Sequence, residues 1–408
     1  MTACVAFVES NTSGTGRLFA RAAVKLGFKP VLLASDPSRY KYAREDGIET
    51  RVVQTSDNEA LLSACKELEL AGVMTSSEYF VTRTAWLARK LRLPGANPAA
   101  VRACRDKQKQ RTVLNAKGVA VPAFRGVTSA RGAVAAAESL GLPVVVKTVG
   151  GSGSVGVRLC RDLDEVKTHA ATLLRQRVNE RGLSVPRRIL IEALVQGREY
   201  SVETFCQTAV GCTRKQLGAP PFFVETGHDF PAALPAAEER AVCDFALRAI
   251  AALGLDWGPA HVELRLTKSG PVIIEINPRL AGGFIPELVR CATGIDLIME
   301  TVRLTVGLEP RLDKLHTRHA SIRFLMPEAE GVLLGAEGLE VAKSTALEGD
   351  DLQVYAAAGT TVRLRGDFRD RLGHVMACRK SAAEAARMAD AWRAAVQLKV
   401  GSTEKHAG

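Results

Sequence analysis

Two predicted strands joined by a short turn carry acidic side chains that could hold a metal ion. They lie in HVELRLTKSGPVIIEINPR, residues 261–279, where polar and apolar residues alternate as in half-buried strands. If Lys268-Ser269-Gly270 forms a three-residue loop, one face carries two polar pairs, Glu263 opposite Glu275 and His261 opposite Asn277. The other face would be core, formed by Val262, Leu264, Ile274 and Ile276.

Carboxylates that face each other across a strand pair repel unless a proton or a cation neutralises them. Oxygen ligands with a carboxamide beside them suit Mg²⁺, which keeps several waters and is usually completed by substrate phosphates. The sequence therefore predicts a magnesium site at Glu263, Glu275 and Asn277. The alternative is a solvated hairpin face with ordinary acidic residues.

A lysine followed by glycines forms a second candidate, VVVKTVGGSGSVGV at residues 144–157. Lys147 ends an apolar strand, where an unpaired ammonium would be costly. The glycines that follow leave the backbone free to surround a phosphate. The lysine precedes the glycines, so this is not a Walker A loop. The alternative is a flexible linker after a strand.

The third candidate is ILIEALVQGREYSVETF, residues 189–205, in which one predicted strand contains Glu192 and the returning strand opens with Glu199. Backbone groups of such a connection can pair with an adenine edge, and a carboxylate is the usual acceptor for ribose hydroxyls. An ordinary exposed hairpin explains the same pattern.

Composition narrows the class of protein. The net charge of +11 favours anionic partners such as nucleotides. Nucleic acid is disfavoured because aromatic residues are only 5% of the chain and the densest basic stretch, residues 105–111, lies on a helical pattern. An odd number of cysteines, nine, without a C-x-x-C pair argues against a disulfide framework. We expect a cytoplasmic protein without a membrane segment.

Periodicity predicts three units that must position these residues. Strand, glycine loop, helix and strand alternate to about residue 95, which indicates an α/β domain. Residues 98–118 predict one basic helix, and residues 212–235 are expected to lack a regular element because they are rich in proline and glycine. Segregated strands and helices favour α+β for the central unit. A smaller unit with an alanine-rich helix follows residue 310.

Four motifs in this order resemble the ATP-grasp superfamily of carboxylate–amine ligases: Lys107 in RDKQKQR, Lys147 with GGSGSVG, EALVxGREYSV, and HVELR with EINPR. The resemblance covers roughly residues 98–310. It implies a Rossmann-like pre-ATP-grasp domain (residues 1–95), an ATP-grasp domain (96–310) with a mobile lid at about 120–195, and a C-terminal α+β domain (311–408). The segment containing RLGHV within 368–375 resembles the C-terminal unit of the branch with L-amino acid ligases and purine-pathway carboxylases.

The resemblance also implies roles for individual residues. Lys107 and Lys147 would contact the ATP phosphates beneath a loop containing Gly151, Ser152, Gly153, Ser154 and Gly156. Glu192, Ala193 and Leu194 would meet adenine, and Glu199 would take the ribose. Glu263, Glu275 and Asn277 match the positions for two Mg²⁺ ions, with Mn²⁺ as a possible substitute, and Arg279 matches the cation that steadies an acyl phosphate.

We therefore expect an ATP-dependent ligase that forms an amide or peptide bond through an acyl phosphate and releases ADP and phosphate. Amino acids or a specialised-metabolite precursor are the expected substrates, and a homodimer the expected assembly. A purine-pathway or carboxylase-like enzyme is the nearest alternative. An NAD-dependent oxidoreductase is a remote one, because Gly14-x-Gly16 with Asp36 imitates only part of a dinucleotide fingerprint.

Some residues remain ambiguous in the sequence. Residues 212–235 are expected to line the substrate pocket, with His228 as a positioning group or base, or as a solvated loop histidine. Gly282 and Gly283 could receive a substrate carboxylate on their N–H groups or form a plain turn. A zinc site at His316 and His319 lacks further ligands and is disfavoured.

Overall fold

The computed structural model describes residues 3–11, 15–179 and 181–402, so Gly14 of the partial dinucleotide fingerprint lies outside the described residues. The first unit is a parallel sheet in the order β3-β2-β1-β4 flanked by helices. Its strands are β1 (Cys4–Val8), β2 (Lys29–Ala34), β3 (Glu49–Val52) and β4 (Leu70–Met74). Its helices are α1 (Thr15–Lys25), α2 (Lys41–Glu45), α3 (Asn58–Lys66) and α4 (Val81–Leu91). The predicted α/β opening is thus present.

Two helices rather than one link this unit to the next, α5 (Pro98–Arg105) and α6 (Lys107–Ala116). The prediction of a single helix over 98–118 was wrong. Asp106 adopts an extended conformation, and its side chain accepts a hydrogen bond from the backbone N–H of Lys109, so it caps a new helix. The break places Lys107 in the first turn of α6.

A small antiparallel sheet with two helices forms a separate layer in the order β5-β8-β6-β7. Its strands are β5 (Phe124–Val127), β6 (Val144–Thr148), β7 (Arg158–Cys160) and β8 (Ile189–Ala193). Its helices are α7 (Ala130–Leu140) and α8 (Leu163–Arg175). The layer has its own apolar core, which includes Val144, Val146 and Ile191. The predicted lid segment coincides with this layer.

An eight-stranded sheet in the order β13-β12-β9-β10-β11-β14-β18-β16 forms the body of the molecule. Its strands are β9 (Arg198–Phe205), β10 (Thr208–Leu217), β11 (Glu225–Phe230), β12 (Pro259–Thr267), β13 (Gly270–Asn277), β14 (His319–Leu325), β16 (Asp351–Val354) and β18 (Gly373–Arg379). The helices α9 (Ala236–Leu253), α10 (Ile285–Thr293) and α11 (Leu297–Thr305) accompany it. Because β11 pairs with β14, the sheet continues across residue 310.

Residues 212–235 are more regular than predicted, since β10 and β11 occupy half of them. Three of the six proline and glycine residues, Gly218, Pro220 and Pro221, lie in the turn between the two strands, residues 218–224. A last sheet, β17-β15-β19, completes the fold with β15 (Gly331–Glu337), β17 (Thr361–Val362) and β19 (Gln397–Gly401), beside α12 (Leu339–Ser344) and α13 (Ala382–Ala395). In the part of the chain that the structure describes, no helix is long and apolar enough to cross a membrane.

Candidate active site

The β12–β13 hairpin places its polar residues as predicted, by a different route. Glu263 pairs with Glu275 and His261 with Asn277. The turn contains only Lys268 and Ser269, because Thr267 pairs with Gly270. The shorter turn shifts the pairing by one residue from the predicted register. A β-bulge at Ile274, opposite Glu263 and Leu264, compensates for this shift and restores the predicted pairing of Glu263 with Glu275.

The bulge changes which isoleucine enters the core. Leu264 pairs with Ile273, which is fully buried, whereas Ile274 is only half-buried and lines the cavity beside the hairpin. The assignment of Ile274 to the core was therefore wrong. Its side chain instead supplies an apolar wall next to Glu275.

Each facing carboxylate has cationic partners within the chain, contrary to the expectation that a metal ion must relieve their repulsion. Lys107 Nζ lies 2.9 Å from Glu275 Oε1, and Lys215 Nζ lies 2.9 Å from Glu263 Oε1. His261 Nε2 lies 3.0 Å from the same Glu263 oxygen. Repulsion alone thus does not require a metal ion, and the case for one rests on the chemistry of the donors.

The donor set fits Mg²⁺. Two carboxylates and one carboxamide lie on one face of the hairpin, and the ion would complete its shell with water and phosphate oxygens. With its amide nitrogen turned toward them, Asn277 donates to Glu275 Oε1 (3.0 Å) and Glu78 Oε1 (2.8 Å), which leaves the amide oxygen as a possible ligand. Within residues 3–11, 15–179 and 181–402, no group of three or more His, Cys, Asp or Glu side chains forms a metal site. This finding disfavours zinc at His316 and His319, while a phosphate-completed Mg²⁺ site needs fewer protein ligands.

Lys215 is the central cation on this side of the cavity. Its Nζ lies 2.5 Å from Glu225 Oε1, 2.9 Å from Glu263 Oε1 and 3.3 Å from Glu199 Oε1. Burial acts to lower the pKa of Lys215, but the charges of Glu225, Glu263 and Glu199 outweigh it and raise the pKa well above its ordinary value. Lys215 therefore stays charged and joins its own strand, β10, to β9, β11 and β12.

A second buried charge cluster joins the small sheet to α6. Lys147 Nζ lies 2.5 Å from Glu192 Oε2, and Arg111 Nε donates to Glu192 Oε1 at 2.8 Å. Burial lowers the pKa of Lys147 despite the charge of Glu192. Both oxygens of Glu192 are thus paired with cations. Of the three residues predicted to meet adenine, Glu192 therefore has its carboxylate occupied, whereas Ala193 and Leu194 have uncharged side chains.

The glycine loop lies closed over the cavity. Gly153, Ser154 and Gly156 have positive φ angles (63°, 63° and 72°), and a Cβ on Gly153 would collide with the ring of Phe368. Ser154 Oγ donates to the carbonyl of Phe223 at 3.0 Å. Lys107 Nζ donates to the carbonyl of Gly151 at 2.6 Å. The loop is therefore held by α6, by the β10–β11 turn and by the C-terminal unit.

Arg279 pairs with Glu78, a residue that sequence reasoning missed. Arg279 Nε donates to Glu78 Oε2 at 2.5 Å, and Arg105 pairs with the other oxygen of this carboxylate. Burial acts to raise the pKa of Glu78, but the charges of Arg279, Arg105 and Lys107 lower it to about 2. The polar run after β4, at the carboxyl end of a parallel strand, is a signal that could have indicated Glu78.

One cavity of about 1300 Å³ connects these groups. Most predicted site residues line it: Lys107, Lys147, Ser152, Gly153, Ser154, Glu192, Ala193, Leu194, Glu199, Glu263, Glu275, Asn277 and Arg279. Gly151 and Gly156 do not line it, although they belong to the same loop. The connection after β8 is not a hairpin, because β8 and β9 belong to different sheets. The ordinary-hairpin alternative for residues 189–205 is thus excluded.

His228 lies behind the cavity wall and does not line it. It is fully buried on β11, and a Cβ on Gly283 would come within 2.6 Å of its Nε2. Among the residues that the structure describes, neither ring nitrogen has a hydrogen-bond partner, and Glu225 Oε2 lies 3.5 Å from Nε2. Burial, with the nearby charges of Arg371 and Lys215, lowers the pKa of His228 to about 3 although Glu225 opposes this. His228 is thus a buried neutral imidazole, not a solvated loop histidine.

This burial predicts an acid-dependent loss of stability. Because the folded pKa of His228 is about 3 and the unfolded value is about 6.5, its stabilisation is present above pH 6.5 and is lost as the pH falls from there toward 3. We expect the free energy of unfolding of the wild type to fall by about 2 kcal/mol more than that of His228→Asn between pH 7.5 and pH 5. Urea titrations of both proteins measure this difference. The same pH dependence of stability in the wild type and in His228→Asn would contradict the assignment of His228 as a buried neutral imidazole.

Comparisons with known proteins agree with this architecture. Residues 140–287 match the ATP-grasp domain, and residues 323–401 match the L-amino acid ligase C-terminal domain 2. A Sinorhizobium fredii (strain NBRC 101917 / NGR234) protein named "Uncharacterized protein y4rH" is 37% identical over 380 residues, covering 92% of this chain and 78% of that protein. Carnosine synthase 1 of Gallus gallus is 35% identical over 248 residues, covering 57% of this chain and 27% of the relative. The chain thus spans about a quarter of that synthase.

Solved structures show the same fold. The crystal structure of L-amino acid ligase from Bacillus licheniformis superimposes with a TM-score of 0.82 at 23% identity, covering 98% of this chain and 99% of that chain. Phosphoribosylglycinamide synthetase from Anaerococcus prevotii superimposes with a lower TM-score of 0.74 at 17% identity, covering 98% of this chain and 100% of that chain.

The chain belongs to the ATP-grasp family of ATP-dependent carboxylate–amine ligases, in the branch that includes the L-amino acid ligases. The predicted family, fold class and ligase activity are confirmed, and the purine-pathway enzymes are more distant neighbours. ATP-grasp enzymes use ATP and a divalent metal ion, generally Mg²⁺.

Proposed function

We propose that the protein phosphorylates the carboxylate of one amino acid with ATP and joins it to the amine of a second substrate. The observation that carries this proposal is the acidic face of the β12–β13 hairpin, with Glu263, Glu275 and Asn277 lining the same cavity as Lys107 and Lys147. Amino acids are proposed as substrates because the relatives include L-amino acid ligase and carnosine synthase.

In the first step, a carboxylate oxygen of the substrate attacks the γ-phosphorus of ATP, the bond to the bridging oxygen breaks, and ADP leaves. Lys107 and Lys147 would contact the phosphates, where negative charge develops. A divalent ion held by Glu263, Glu275 and Asn277 would neutralise further charge on the phosphate oxygens. Arg279 would hold the acyl phosphate, since Glu78 fixes its guanidinium at the cavity wall.

In the second step, the amine attacks the carbonyl carbon, the bond from that carbon to the phosphate oxygen breaks, and the amide forms. Water must be excluded, because it competes with the amine for the acyl phosphate. The closed loop with Gly151, Ser152, Gly153, Ser154 and Gly156 supports this role. We propose that the small sheet opens as a lid, which would break the loop's contacts to Phe368 and Phe223.

The remaining assignments follow the shape of the cavity. Adenine is proposed to lie against Ala193 and Leu194, near Ile274, while Glu192 neutralises Lys147 and Arg111. Glu199 is proposed to accept from the ribose. His228 is proposed as a positioning residue that supports the Gly282–Gly283 turn, whose N–H groups would receive a substrate carboxylate. Two ions, replacement of Mg²⁺ by Mn²⁺ and a homodimer belong to the same proposal.

Nucleotide binding and product analysis test the function together. We expect Mg-ATP to raise the melting temperature and NAD to leave it unchanged, because only a ligand of the folded state stabilises it. We then expect phosphate and ADP to appear with particular pairs of amino acids, screened by phosphate release. Formation of AMP and pyrophosphate instead would contradict an acyl-phosphate mechanism, and stabilisation by NAD alone would contradict the ATP site.

A further inference from the structure

A histidine in the C-terminal unit is held between the first residue of β16 and the residue directly after that strand. His374 is fully buried on β18, and its Nδ1 lies 2.6 Å from Tyr355 Oη while its Nε2 lies 3.0 Å from Asp351 Oδ2. Asp351 begins β16, and Tyr355 directly follows that strand, four residues on. Because side chains alternate along a strand, positions 351, 353 and 355 share a face, and position 353 pairs with His374.

The hydrogen bonds that join Tyr355, His374 and Asp351 all run in one direction, from the phenol toward the carboxylate. The hydrogen bond from His374 and the neighbouring charge lower the pKa of Asp351, so this carboxylate is ionised and accepts from Nε2–H. In the neutral imidazole Nδ1 is then the acceptor, and the Tyr355 hydroxyl donates to it. Burial and the charge of Asp351 raise the pKa of Tyr355, so the phenol keeps its proton. The lone pairs of Tyr355 Oη remain available to another donor.

This hydroxyl belongs to the substrate cavity. Tyr355 lines the cavity and is 43% exposed. Its ring stacks on Phe284, with centroids 6.2 Å apart and planes 8° from parallel, and Phe284 lies 4.3 Å from the ring of His374. Phe284 has a left-handed backbone (φ 62°), uncommon for a residue with a side chain, directly after the turn that follows Arg279. These rings thus form an aromatic wall of the cavity around the hydrogen-bonded series Tyr355–His374–Asp351, called the relay below.

We propose that Tyr355, backed by His374 and Asp351, accepts a proton from the ammonium group of the amine substrate and so generates the nucleophile for amide formation. This inference rests on the proposed function. The ammonium N–H proton passes to Tyr355 Oη as the hydroxyl proton passes to His374 Nδ1. The freed nitrogen lone pair attacks the carbonyl carbon of the acyl phosphate, and the carbon–oxygen bond to phosphate breaks. The second nitrogen proton leaves with the phosphate.

Charged groups around the relay are consistent with this role. The negative charge of Asp351 raises the pKa of Tyr355, and the positive charge of Arg371 opposes this. The positive charge of Lys343 helps to lower the pKa of Asp351. From β14, the residue paired with His374 is Phe324, which carries no charge. The Asp351 side chain is about half exposed, so it links the buried His374 to solvent, where the relayed proton is released.

Hydroxylamine separates this role from acyl-phosphate formation. It is mostly neutral at pH 7.5 and attacks an acyl phosphate without prior deprotonation, giving a hydroxamate. For Tyr355→Phe, which keeps the ring, we expect kcat/KM for the amine substrate to fall about 100-fold, with hydroxamate formation within twofold of the wild type. The loss should shrink as the pH rises, because more of the amine is then neutral in solution. His374→Gln should show the same split.

Tyr42→Phe is the matched control, because Tyr42 is buried in the first unit and does not line the cavity. We expect it to keep both reactions. Equal loss of amide and hydroxamate in Tyr355→Phe, or no loss of either, would overturn the relay. Failure of the wild type to form any hydroxamate from ATP and amino acids would instead contradict the proposed function, and the relay with it.

Discussion

Replacing Glu275 by Gln is expected to lower kcat for amide formation by about 10³-fold and to leave the protein folded. The substitution keeps the shape of the side chain but removes the charge that would hold a divalent ion beside the phosphates. The Gln oxygen can still accept from Lys107, whose Nζ lies 2.9 Å from Glu275 Oε1. We therefore expect a stability loss of only about 1 kcal/mol.

Coupled ADP release measures the rate, and circular dichroism with thermal unfolding measures the fold. Glu238→Gln is the matched control, because Glu238 lies exposed in the first turn of α9, away from the cavity. Full activity of Glu275→Gln with the wild-type dependence on Mg²⁺ concentration would show that Glu275 does not bind the metal ion.

Replacing Lys147 by Met is expected to reduce kcat/KM for ATP by about 10²-fold or more. The same change leaves the buried carboxylate of Glu192 with Arg111 as its single cationic partner. Because Arg111 still neutralises Glu192, we expect a stability loss of only about 1 kcal/mol from the lost interaction of Lys147.

Thermal unfolding of Lys147→Met, measured beside the ATP kinetics, separates the two effects. A melting temperature close to that of the wild type together with a loss of ATP affinity would assign the defect to the phosphate site. A large fall in the melting temperature would instead assign the defect of Lys147→Met to misfolding, and unchanged ATP affinity would remove Lys147 from the phosphate site.

The acidic hairpin was predictable because strict alternation leaves few registers that bury the apolar face. The turn was counted one residue too long, and a bulge at Ile274 compensates for this at Glu263 and Glu275. Bulges depend on packing against neighbouring strands, so the alternation could not reveal this one. At this bulge the side chain of Ile274 lines the cavity instead of packing in the core.

Other parts of the site depend on contacts between distant residues. Glu78 and Arg279 are 201 positions apart, and no local pattern joins them. Lys215 was visible only as one charge in a segment whose prolines and glycines hid two strands. The new helix at Asp106, by contrast, had a readable signal, because Asp at the position before Lys107 is a common helix cap. The prediction of one helix over residues 98–118 gave more weight to the continuous basic stretch than to this cap.

A crystal structure with Mn²⁺ and a non-hydrolysable ATP analogue tests most directly whether the β12–β13 hairpin is the metal–nucleotide site. Anomalous scattering should place Mn²⁺ at bonding distance from Glu275 and the phosphates, with Lys107 and Lys147 moved from their carboxylate partners to phosphate oxygens. Nucleotide and Mn²⁺ bound elsewhere, with the ion pair between Lys107 and Glu275 intact, would contradict it.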